Sequence, residues 1–463
     1  MVSSRMIWVV IFFFLAALTV FSNAIWAQGF DGEYERRAQE VVTGLAGLNG
    51  LRGWTPQAPA TWPVSLVDAR GEQVSVRSGR HGGVRWNQQA PAGLISLNLT
   101  GQNLQRAADL SGLSFLEHLE LSGNSLKAIN LAGSTALTRL VVVKNQLAAL
   151  NIENCPRLIY LAASGNHLVT LNLSANIQLT DIYLSANQLT ELDVSRQSGL
   201  VNLDVMNNRL TDISVRVNPD LEKLLISYNQ LQNIDVSANQ RLVNLGVRDN
   251  NLTELSLSAN TRLAELTVSR NNLQKLDLRA NSQLTRLSAE QNQLAVLDLS
   301  GLTKLEHLAL QRNPLTDIIL GDNALENLIS LNLDDCQLPL SRLAFWAGLA
   351  KNRARLGSQK DVLFVKSSLL AGETLDLSAE AEIGGSKTIF LVQTDKGRRV
   401  KQAEYEENSG QIVFHRPGFY RVMMSNEKVF SSEINRTTGQ MRTLPVKVYT
   451  GIIEVKPENQ TEN

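Results

Sequence analysis

Few residues in this 463-residue chain have the types and spacing that nucleophilic or metal chemistry needs. The chain has two cysteines, Cys155 and Cys336, and its five histidines are scattered along the sequence. A catalytic cysteine needs a neighbouring cation or histidine that lowers its pKa, and a zinc site needs about four ligands held together. The motifs H-E-x-x-H, C-x-x-C, G-x-S-x-G and G-x-x-x-x-G-K-[ST] do not occur. We therefore predict a protein without enzymatic activity, bound metal or cofactor.

Charge is balanced in this sequence, with 44 basic and 44 acidic side chains. A protein that binds nucleic acid or an anionic membrane surface usually has a clear excess of positive charge. The sequence has no such excess, so we expect no nucleic acid as a partner. At this length the chain can hold two or three domains and a large buried interior.

Residues 1–27 are typical of a secretory signal peptide. A positive charge at Arg5 precedes a mostly apolar run from Ile7 to Phe21, and small residues at Ala24 and Ala27 suit cleavage. A membrane anchor is the alternative, but a spanning helix needs roughly 20 apolar residues and this run is shorter. We expect an exported mature protein without an integral membrane span, located extracellularly, on the cell surface or in the periplasm.

A 21-residue repeat dominates the middle of the chain and must position the remaining side chains. The pattern L-x-x-L-x-L-x-x-N-x-L begins at Leu94 and occurs twelve times up to about residue 340, and nine of the eleven spacings are 21 residues. The alternating leucines are typical of a short strand with one face turned inward. One repeat cannot bury its leucines alone, so we expect stacked repeats whose strands form a parallel sheet over a continuous core. The return segment is too short for a full helix.

The ninth position of each repeat is polar in an otherwise apolar pattern. An asparagine amide both donates and accepts, so it can satisfy turn backbone groups that no strand reaches. We expect a buried ladder formed by Asn103, Asn124, Asn145, Asn166, Asn187, Asn208, Asn229, Asn250, Asn271, Asn292, Asn313 and Cys336. Cys155 lies at position 19 of its repeat, where other repeats have Asn. A disulfide between the cysteines would span nearly nine repeats, about 40 Å, against a limit of about 7 Å. We predict two buried structural thiols.

This pattern resembles the leucine-rich repeat family, in which the ninth position is Asn or Cys. The resemblance implies an α/β-type solenoid, a leucine-rich repeat horseshoe of stacked parallel strands, over residues 94–340. It also implies an N-terminal cap region at 28–93, with a helix and Trp-containing loops, and a C-terminal helical cap at 341–358. The segment GGVRWNQQAPAGLISLNLTGQNL resembles the start of extracellular leucine-rich repeat proteins. Plant and animal members usually have paired cysteines there, and their lack favours an internalin-like bacterial protein.

Residues 359–456 lose the 21-residue period and contain β-rich runs separated by turn residues. Such runs favour a small all-β sandwich domain. The piece FHRPGFYRVMMSN resembles the PG-x-Y-x-V turn and strand of immunoglobulin-like modules in bacterial surface proteins. We expect this domain to be a spacer or a second binding module, followed by a polar tail at 457–463.

The third, fifth, seventh and eighth positions of each repeat vary, and they project from the concave face of the predicted sheet. Middle repeats place apolar and aromatic residues there, whereas later repeats place charged ones. Tyrosine, methionine and arginine are enriched at protein interfaces. The candidate partner-binding residues are Val141, Val143, Tyr160, Tyr183, Met206, Leu225, Tyr228, Arg248, Arg270 and Arg286. The alternative is that these side chains only pair across neighbouring strands, Arg with Glu and Tyr with Val, without any ligand.

The whole sequence predicts an exported leucine-rich repeat protein that mediates protein–protein interaction through its concave face, in cell-surface recognition or host adhesion. Exposed tyrosines can also stack on sugar rings, so a carbohydrate-binding protein is one alternative. A non-enzymatic envelope scaffold that self-assembles is another. Glycan binding that single tyrosine substitutions abolish would favour the first alternative, and concentration-dependent oligomers would favour the second.

Overall fold

The structure is a computed structural model that describes residues 66–67, 73–74, 84–86, 94–101, 104–322, 325–349, 354–357, 359–362, 367–434 and 441–457. The chain divides into unit 1, residues 1–242, and unit 2, residues 243–463. The predicted signal peptide at 1–27, the tail beyond residue 457 and ladder residue Asn103 lie outside the described residues. Within the predicted cap at 28–93, three short strands are described: β1 (Leu66–Val67), β2 (Gln73–Val74) and β3 (Val84–Trp86).

Unit 1 contains a parallel sheet to which each repeat contributes one short strand. After β3, the strands of unit 1 are β4 (Leu94–Asn98), β5 (Gln105–Asp109), β6 (His118–Glu120), β7 (Ser125–Asn130), β8 (Arg139–Val141), β9 (Tyr160–Ala162), β10 (Asp181–Tyr183), β11 (Asn202–Asp204) and β12 (Lys223–Leu225). Of the strands β4 to β12, all except β5 and β7 belong to the parallel sheet. Strand β3 also belongs to it and pairs antiparallel with β4. The 21-residue spacing keeps equivalent positions in register, so Tyr160 lies between Arg139 and Asp181.

The leucines of the pattern form the core of unit 1. In the third repeat Leu137, Leu140, Val142 and Leu147 have no exposed surface, because alternate strand residues point inward. The chain then returns through turns, and in the first two repeats through β5 and β7, which pair in parallel. The described repeats of unit 1 contain no α-helix, so the expected α/β class is wrong and the architecture is a β-solenoid. A strand and its turns use most of each 21-residue repeat.

Buried asparagines at the ninth position connect the turns of unit 1. Asn145 donates from Nδ2 to the carbonyl oxygens of Leu121 and Val142, at 3.0 and 3.2 Å, and its Oδ1 accepts from the Leu126 N–H at 3.1 Å. Each amide therefore satisfies three backbone groups that the strands leave over. The same three contacts are made by Asn124, Asn166, Asn187, Asn208 and Asn229.

Unit 2 contains the later repeats, built in the same way. Its repeat elements are β13 (Asn244–Gly246), β14 (Glu265–Thr267), β15 (Arg286–Ser288), β16 (Val296–Asp298), β17 (His307–Ala309), β18 (Asp317–Ile319), β19 (Ser330–Asn332), helix α1 (Leu340–Leu349) and β20 (Ala354–Arg355). β16 and β18 pair with each other in parallel, and β13, β14, β15, β17, β19 and β20 pair in parallel in that order. Asn250, Asn271, Asn292 and Asn313 are buried, and the Cys336 thiol lies 3.5 Å from the Leu310 carbonyl oxygen.

The repeat geometry of unit 2 extends beyond the predicted limit at residue 340. Strand β20 pairs in parallel with β19, although it lies in the segment predicted as a helical cap. Gln359, 1% exposed, then occupies a ladder position. Its Nε2 donates to the carbonyl oxygens of Leu333 and Leu356, at 2.9 and 2.8 Å, and its Oε1 accepts from the Leu338 N–H at 3.1 Å. Helix α1 thus forms part of the return segment of a further turn of the solenoid.

A buried carboxylate connects helix α1 to the C-terminal β-rich region. Glu380, 5% exposed, accepts hydrogen bonds from the Ser341 N–H at 2.7 Å and the Ser341 hydroxyl at 2.6 Å. A negative charge there satisfies unpaired N–H groups at the helix N-terminus and interacts favourably with the helix dipole. The Ser431 hydroxyl oxygen likewise accepts from the Leu356 N–H at 3.1 Å. The β-rich region therefore packs against the last turn of the solenoid.

The C-terminal region consists of two main sheets. Its strands are β21 (Gln359–Val362), β22 (Ser368–Leu370), β23 (Thr374–Asp376), β24 (Glu382–Ile383), β25 (Ser386–Lys387), β26 (Ile389–Thr394), β27 (Tyr405–Asn408), β28 (Gln411–Phe414), β29 (Gly418–Ile434), β30 (Met441–Thr450) and β31 (Ile453–Lys456), with 3₁₀ turns at Ser378–Glu380 and Gln402–Glu404. One sheet has the order β21-β30-β29-β31-β22 with β26 beside β29, and the other has β23-β28-β27. Phe414 stacks on Tyr420 with ring centroids 4.8 Å apart, so the two sheets pack together.

Candidate functional site

The exposed side of the parallel sheet in unit 1, which we call the sheet face, has regular rows of side chains. Strands of a sheet are roughly 4.8 Å apart, so equivalent positions of successive repeats can contact each other. The third positions form the row Arg139, Tyr160, Asp181, Asn202 and Lys223, and the fifth positions form the row Glu120, Val141, Ala162, Tyr183, Asp204 and Leu225.

Tyr160 lies at the centre of a stack that crosses three strands. The Arg139 guanidinium carbon on β8 lies 3.8 Å from the centroid of the Tyr160 ring on β9. The Tyr183 ring on β10 has its centroid 5.4 Å from that of Tyr160, with 38° between the ring planes. Such cation–π and aromatic contacts contribute about 0.5–1 kcal/mol each at exposed sites. We call these three side chains the tyrosine stack, and they hold the two rings in place without a partner.

Hydrogen-bonded polar groups flank the tyrosine stack on both sides. Glu120 accepts from Asn98 Nδ2 at 2.6 Å, and its carboxylate lies 3.6 Å from Arg139 Nε. On the other side Asp181 accepts from Asn202 Nδ2 at 2.8 Å. These contacts restrict the rotamers of the side chains around the rings. The centre of the sheet face is therefore preorganised.

One group of the stack, Tyr183, and one group beside it, Asp204, have perturbed pKa values. Partial burial raises the pKa of the Tyr183 hydroxyl, and the negative charge of Asp181 raises it further. Burial also raises the pKa of the Asp204 carboxyl group. A hydrogen bond from the Met206 N–H at 3.1 Å lowers this pKa, but by less, so the net shift is upward. Both shifts have the same main cause, because a partly dry environment disfavours the ionised form. This part of the sheet face is thus partly desolvated before any partner binds.

The other candidates of unit 1 lie around the stack. Val141, Val143, Met206 and Leu225 are half-buried. Tyr228 is 43% exposed, and its φ of 59° lies in the left-handed region, which is about 1–2 kcal/mol unfavourable for a residue with a side chain. The sheet face of unit 1 therefore combines apolar side chains with a strained, exposed aromatic residue.

The arginines predicted in unit 2 are paired with carboxylates. The pairs are Arg248 with Asp249 at 3.0 Å and with Glu290 at 3.4 Å, Arg270 with Asp249 at 3.5 Å, and Arg286 with Glu265 at 3.6 Å. These distances agree with the alternative in which Arg pairs with acidic residues without any ligand. In unit 1, by contrast, Tyr160 stacks with Arg139 and Tyr183, where the alternative expected valine.

The two cysteines are free, buried thiols. Burial raises the pKa of Cys155 to about 11 and that of Cys336 to about 12. Neither is a nucleophilic thiolate at neutral pH. In the described part of the chain, no group of three or more His, Cys, Asp or Glu residues is placed to hold a metal ion. None of the helices that the structure describes has the length and apolar character needed to cross a membrane.

Comparisons with known proteins bear on the fold. The sequence matches no family model and no curated protein. Among solved structures, the functional domain of InlJ from Listeria monocytogenes, which includes a cysteine ladder, is 21% identical with a TM-score of 0.51, covering 77% of this chain and 90% of that one. The internalin InlF from Listeria monocytogenes strain 4b F2365 is 24% identical with a TM-score of 0.50, covering 59% of this chain and 87% of that one. These similarities show the fold, a β-solenoid of stacked parallel strands like that of leucine-rich repeat proteins.

Several residues of the site are missing from the sequence prediction. Arg139 completes the tyrosine stack, and Asp181 and Asn202 form the polar pair beside it. Their signal is present in the numbering, because residues 139, 160, 181 and 202 follow one another at intervals of 21 and must lie side by side. For the middle repeats the prediction includes only apolar and aromatic residues, so it omits the charged and polar residues of the same row.

Proposed function

We propose that this protein binds a protein partner through the sheet face of unit 1, with Tyr160 and Tyr183 at the centre of the contact. The observation that supports this most directly is the tyrosine stack, in which Arg139 and Tyr183 hold the Tyr160 ring. Aromatic and arginine side chains at the centre of an interface contribute most of its binding energy. Side chains that are already ordered lose little further entropy on binding.

The geometry of the stack favours a protein over a carbohydrate as the ligand. A sugar ring binds an aromatic side chain by lying flat on an exposed ring face. The Tyr160 ring already has the Arg139 guanidinium 3.8 Å away on the β8 side and the Tyr183 ring on the β10 side. The ring edge and hydroxyl group remain for a partner, and these suit packing and hydrogen bonding to protein groups.

We further propose that the protein is exported and acts in cell-surface recognition or adhesion. The composition of residues 1–27 supports export, since a short apolar run after a positive charge is typical of a signal peptide. Recognition of an extracellular protein is the use that we propose for an exported solenoid of this fold.

We also propose that residues 359–456 form an immunoglobulin-like β-sandwich. The two packed sheets support this assignment, and so does the Tyr420 hydroxyl, which donates to the Arg416 carbonyl oxygen at 3.1 Å. Immunoglobulin-like domains use a tyrosine near the start of a core strand in the same way. Glu380 and Ser431 attach this region to the last turn of the solenoid, which favours a role as a terminal cap over a free spacer.

A binding screen with a matched control tests the proposed surface. The protein from residue 28 onward is screened against extracellular proteins and glycans. It is compared with the variant Tyr160→Ala/Tyr183→Ala and with the control Val169→Ala/Val217→Ala. The two valines are 46% and 48% exposed and lie on return segments away from the sheet face.

The proposal predicts a protein ligand whose affinity falls at least about 30-fold in the tyrosine variant, as expected for loss of two central aromatic residues, and is unchanged in the control. Thermal unfolding must show that both variants are folded. Binding of a glycan that depends on the same tyrosines would instead support the carbohydrate alternative. Equal binding by all three proteins would exclude the sheet face of unit 1 as the site.

A further inference from the structure

An arginine of this protein shows how the sheet face can hold a cation. Arg139 is contacted by two groups at once: the Tyr160 ring at 3.8 Å from its guanidinium carbon, and the Glu120 carboxylate at 3.6 Å from its Nε. A planar guanidinium stacks on aromatic rings and hydrogen-bonds to carboxylates, so this pair of groups suits it. The sheet face therefore contains one aromatic–carboxylate site that is filled by an arginine of the same chain.

The neighbouring strands contain the same kinds of group, an aromatic ring and carboxylates, in a different arrangement and without an arginine. Tyr183 has Asp181 two residues before it on β10, and the register places Asp204 directly beside it on β11. Within the rows of third and fifth positions on β10, β11 and β12, the only basic residue is Lys223. In the described chain no guanidinium stacks on the Tyr183 ring, so this second set has a ring and two carboxylates but no arginine of its own.

The carboxylates of this second set are bound mainly by neutral groups. Asp181 accepts hydrogen bonds from Thr180 Oγ1 at 2.7 Å and Asn202 Nδ2 at 2.8 Å. Asp204 accepts a hydrogen bond from the Met206 N–H. Burial raises the pKa of Asp204, and the positive charge of Lys223 lowers this pKa by a smaller amount. Neither carboxylate forms an ion pair with another residue of the described chain. Two negative charges against one lysine leave this part of the surface complementary to a cation.

We propose that Tyr183, Asp181 and Asp204 bind an arginine side chain of the protein partner, whose guanidinium stacks on Tyr183 as Arg139 stacks on Tyr160. The inference rests on the proposed function, because it names the chemistry of the partner at the same sheet face. The two carboxylates repel an anion, and an apolar side chain would remove water from their negative charges without supplying a positive charge. Arginine is favoured over lysine, since an ammonium group is more strongly hydrated and cannot stack as a plane.

Titration with short peptides tests this inference in the protein from residue 28 onward. The probe is the capped tripeptide glycyl-arginyl-glycine, and the matched control probe has citrulline, which keeps the shape without the charge. Binding is followed by NMR of ¹³C-labelled tyrosine rings; the chain has seven tyrosines, and Tyr183→Phe assigns the relevant signal. The expected result is a shift of the Tyr183 signal with millimolar affinity for the arginine peptide, at least about fivefold tighter than for the citrulline peptide.

Three variants separate recognition from a merely structural effect. Asp181→Asn/Asp204→Asn keeps the shape of the site and removes both negative charges, so its affinity for the arginine peptide should be about fivefold to tenfold lower. Lys223→Gln removes the nearest competing cation and should strengthen binding about twofold, a gain that a loss of structure would not produce. Asp212→Asn, on an exposed return segment of unit 1, should leave the affinity unchanged.

No Tyr183 shift at tens of millimolar arginine peptide, an equal shift with citrulline, or weaker binding by Lys223→Gln would overturn the inference. Its failure is distinguishable from failure of the proposed function. If Tyr160→Ala/Tyr183→Ala loses the protein ligand while the arginine peptide does not bind, the sheet face recognises its partner through other contacts. If the arginine peptide binds but Tyr160→Ala/Tyr183→Ala binds the protein ligand as tightly as the parent protein does, the proposed interface is wrong.

Discussion

Replacing one ladder asparagine with alanine should destabilise unit 1 by about 3–5 kcal/mol. Asn208 is 8% exposed, donates to the Leu184 and Val205 carbonyl oxygens at 3.0 Å each, and accepts from the Leu189 N–H at 2.9 Å. Asn208→Ala leaves these three buried groups without their partner, at a cost of about 1–3 kcal/mol each. Water that enters the space recovers part of the loss, which places the total in the lower half of the summed range.

Hydrogen exchange is the most direct assay for this loss. Stacked repeats need not unfold in one step, so urea unfolding is combined with amide exchange in the repeats around Asn208. Asn233→Ala, at an exposed position of the next repeat, is the matched control and should change stability by less than about 0.5 kcal/mol. A loss in Asn208→Ala no larger than in the control would refute the reasoning, because the turns would then be held by something other than the ladder.

Three further perturbations have calculable directions. Ala186 has a φ of 55°, a conformation that glycine adopts more easily than alanine, so Ala186→Gly should raise the free energy of unfolding by about 0.5–1 kcal/mol and with it the thermal unfolding midpoint. Ala175→Gly, at a position where φ is not in the left-handed region, is the control and should lower the midpoint. Gln359→Leu removes three buried hydrogen bonds and should lower the stability of unit 2 by about 2–4 kcal/mol in urea unfolding; an unchanged midpoint would exclude a ladder role. Cys155 and Cys336 should react with a thiol reagent only on unfolding. Burial raises their pKa from 9.0 to about 11 and about 12, so the unfolded chain releases these protons first, and urea unfolding should show stability falling as pH rises above about 9.

The strands of the repeats can be predicted from sequence because the 21-residue period and the positions of the leucines indicate the same strand in every repeat. Between Leu137 and Leu284 the spacing is constant, so every leucine has the same neighbours and the local pattern determines the register. The extension of the solenoid to Gln359 cannot be predicted in this way. Gln359 follows Cys336 at the same 23-residue distance that separates Cys336 from Asn313, but Ala354 stands where other repeats have leucine and glutamine stands where they have asparagine or cysteine, so the residue pattern no longer identifies the repeat.

The candidate site is harder to predict than the fold, because the rows of the sheet face follow from register but the contacts within them depend on rotamers. The numbering alone places Arg139 beside Tyr160. Whether its guanidinium turns toward that ring or toward a carboxylate depends on the reach of both side chains. In the structure it contacts both, since Glu120 lies 3.6 Å away on the preceding strand.

The repeats of unit 1 and those of unit 2 differ in the charge of the side chains that a partner would cover. In unit 2 the Arg286–Glu265 pair is half-exposed, and such ion pairs contribute about 0–1 kcal/mol each. A partner that covers these pairs must remove water from both charges of each pair, a cost that the attraction within the pair does not necessarily offset. In unit 1 the tyrosine stack contains one ion-paired arginine, Arg139, beside two uncharged rings, so a partner that covers it removes water from fewer charged groups. This difference supports placing recognition at the aromatic rows of unit 1 and a stabilising role at the charged rows of unit 2.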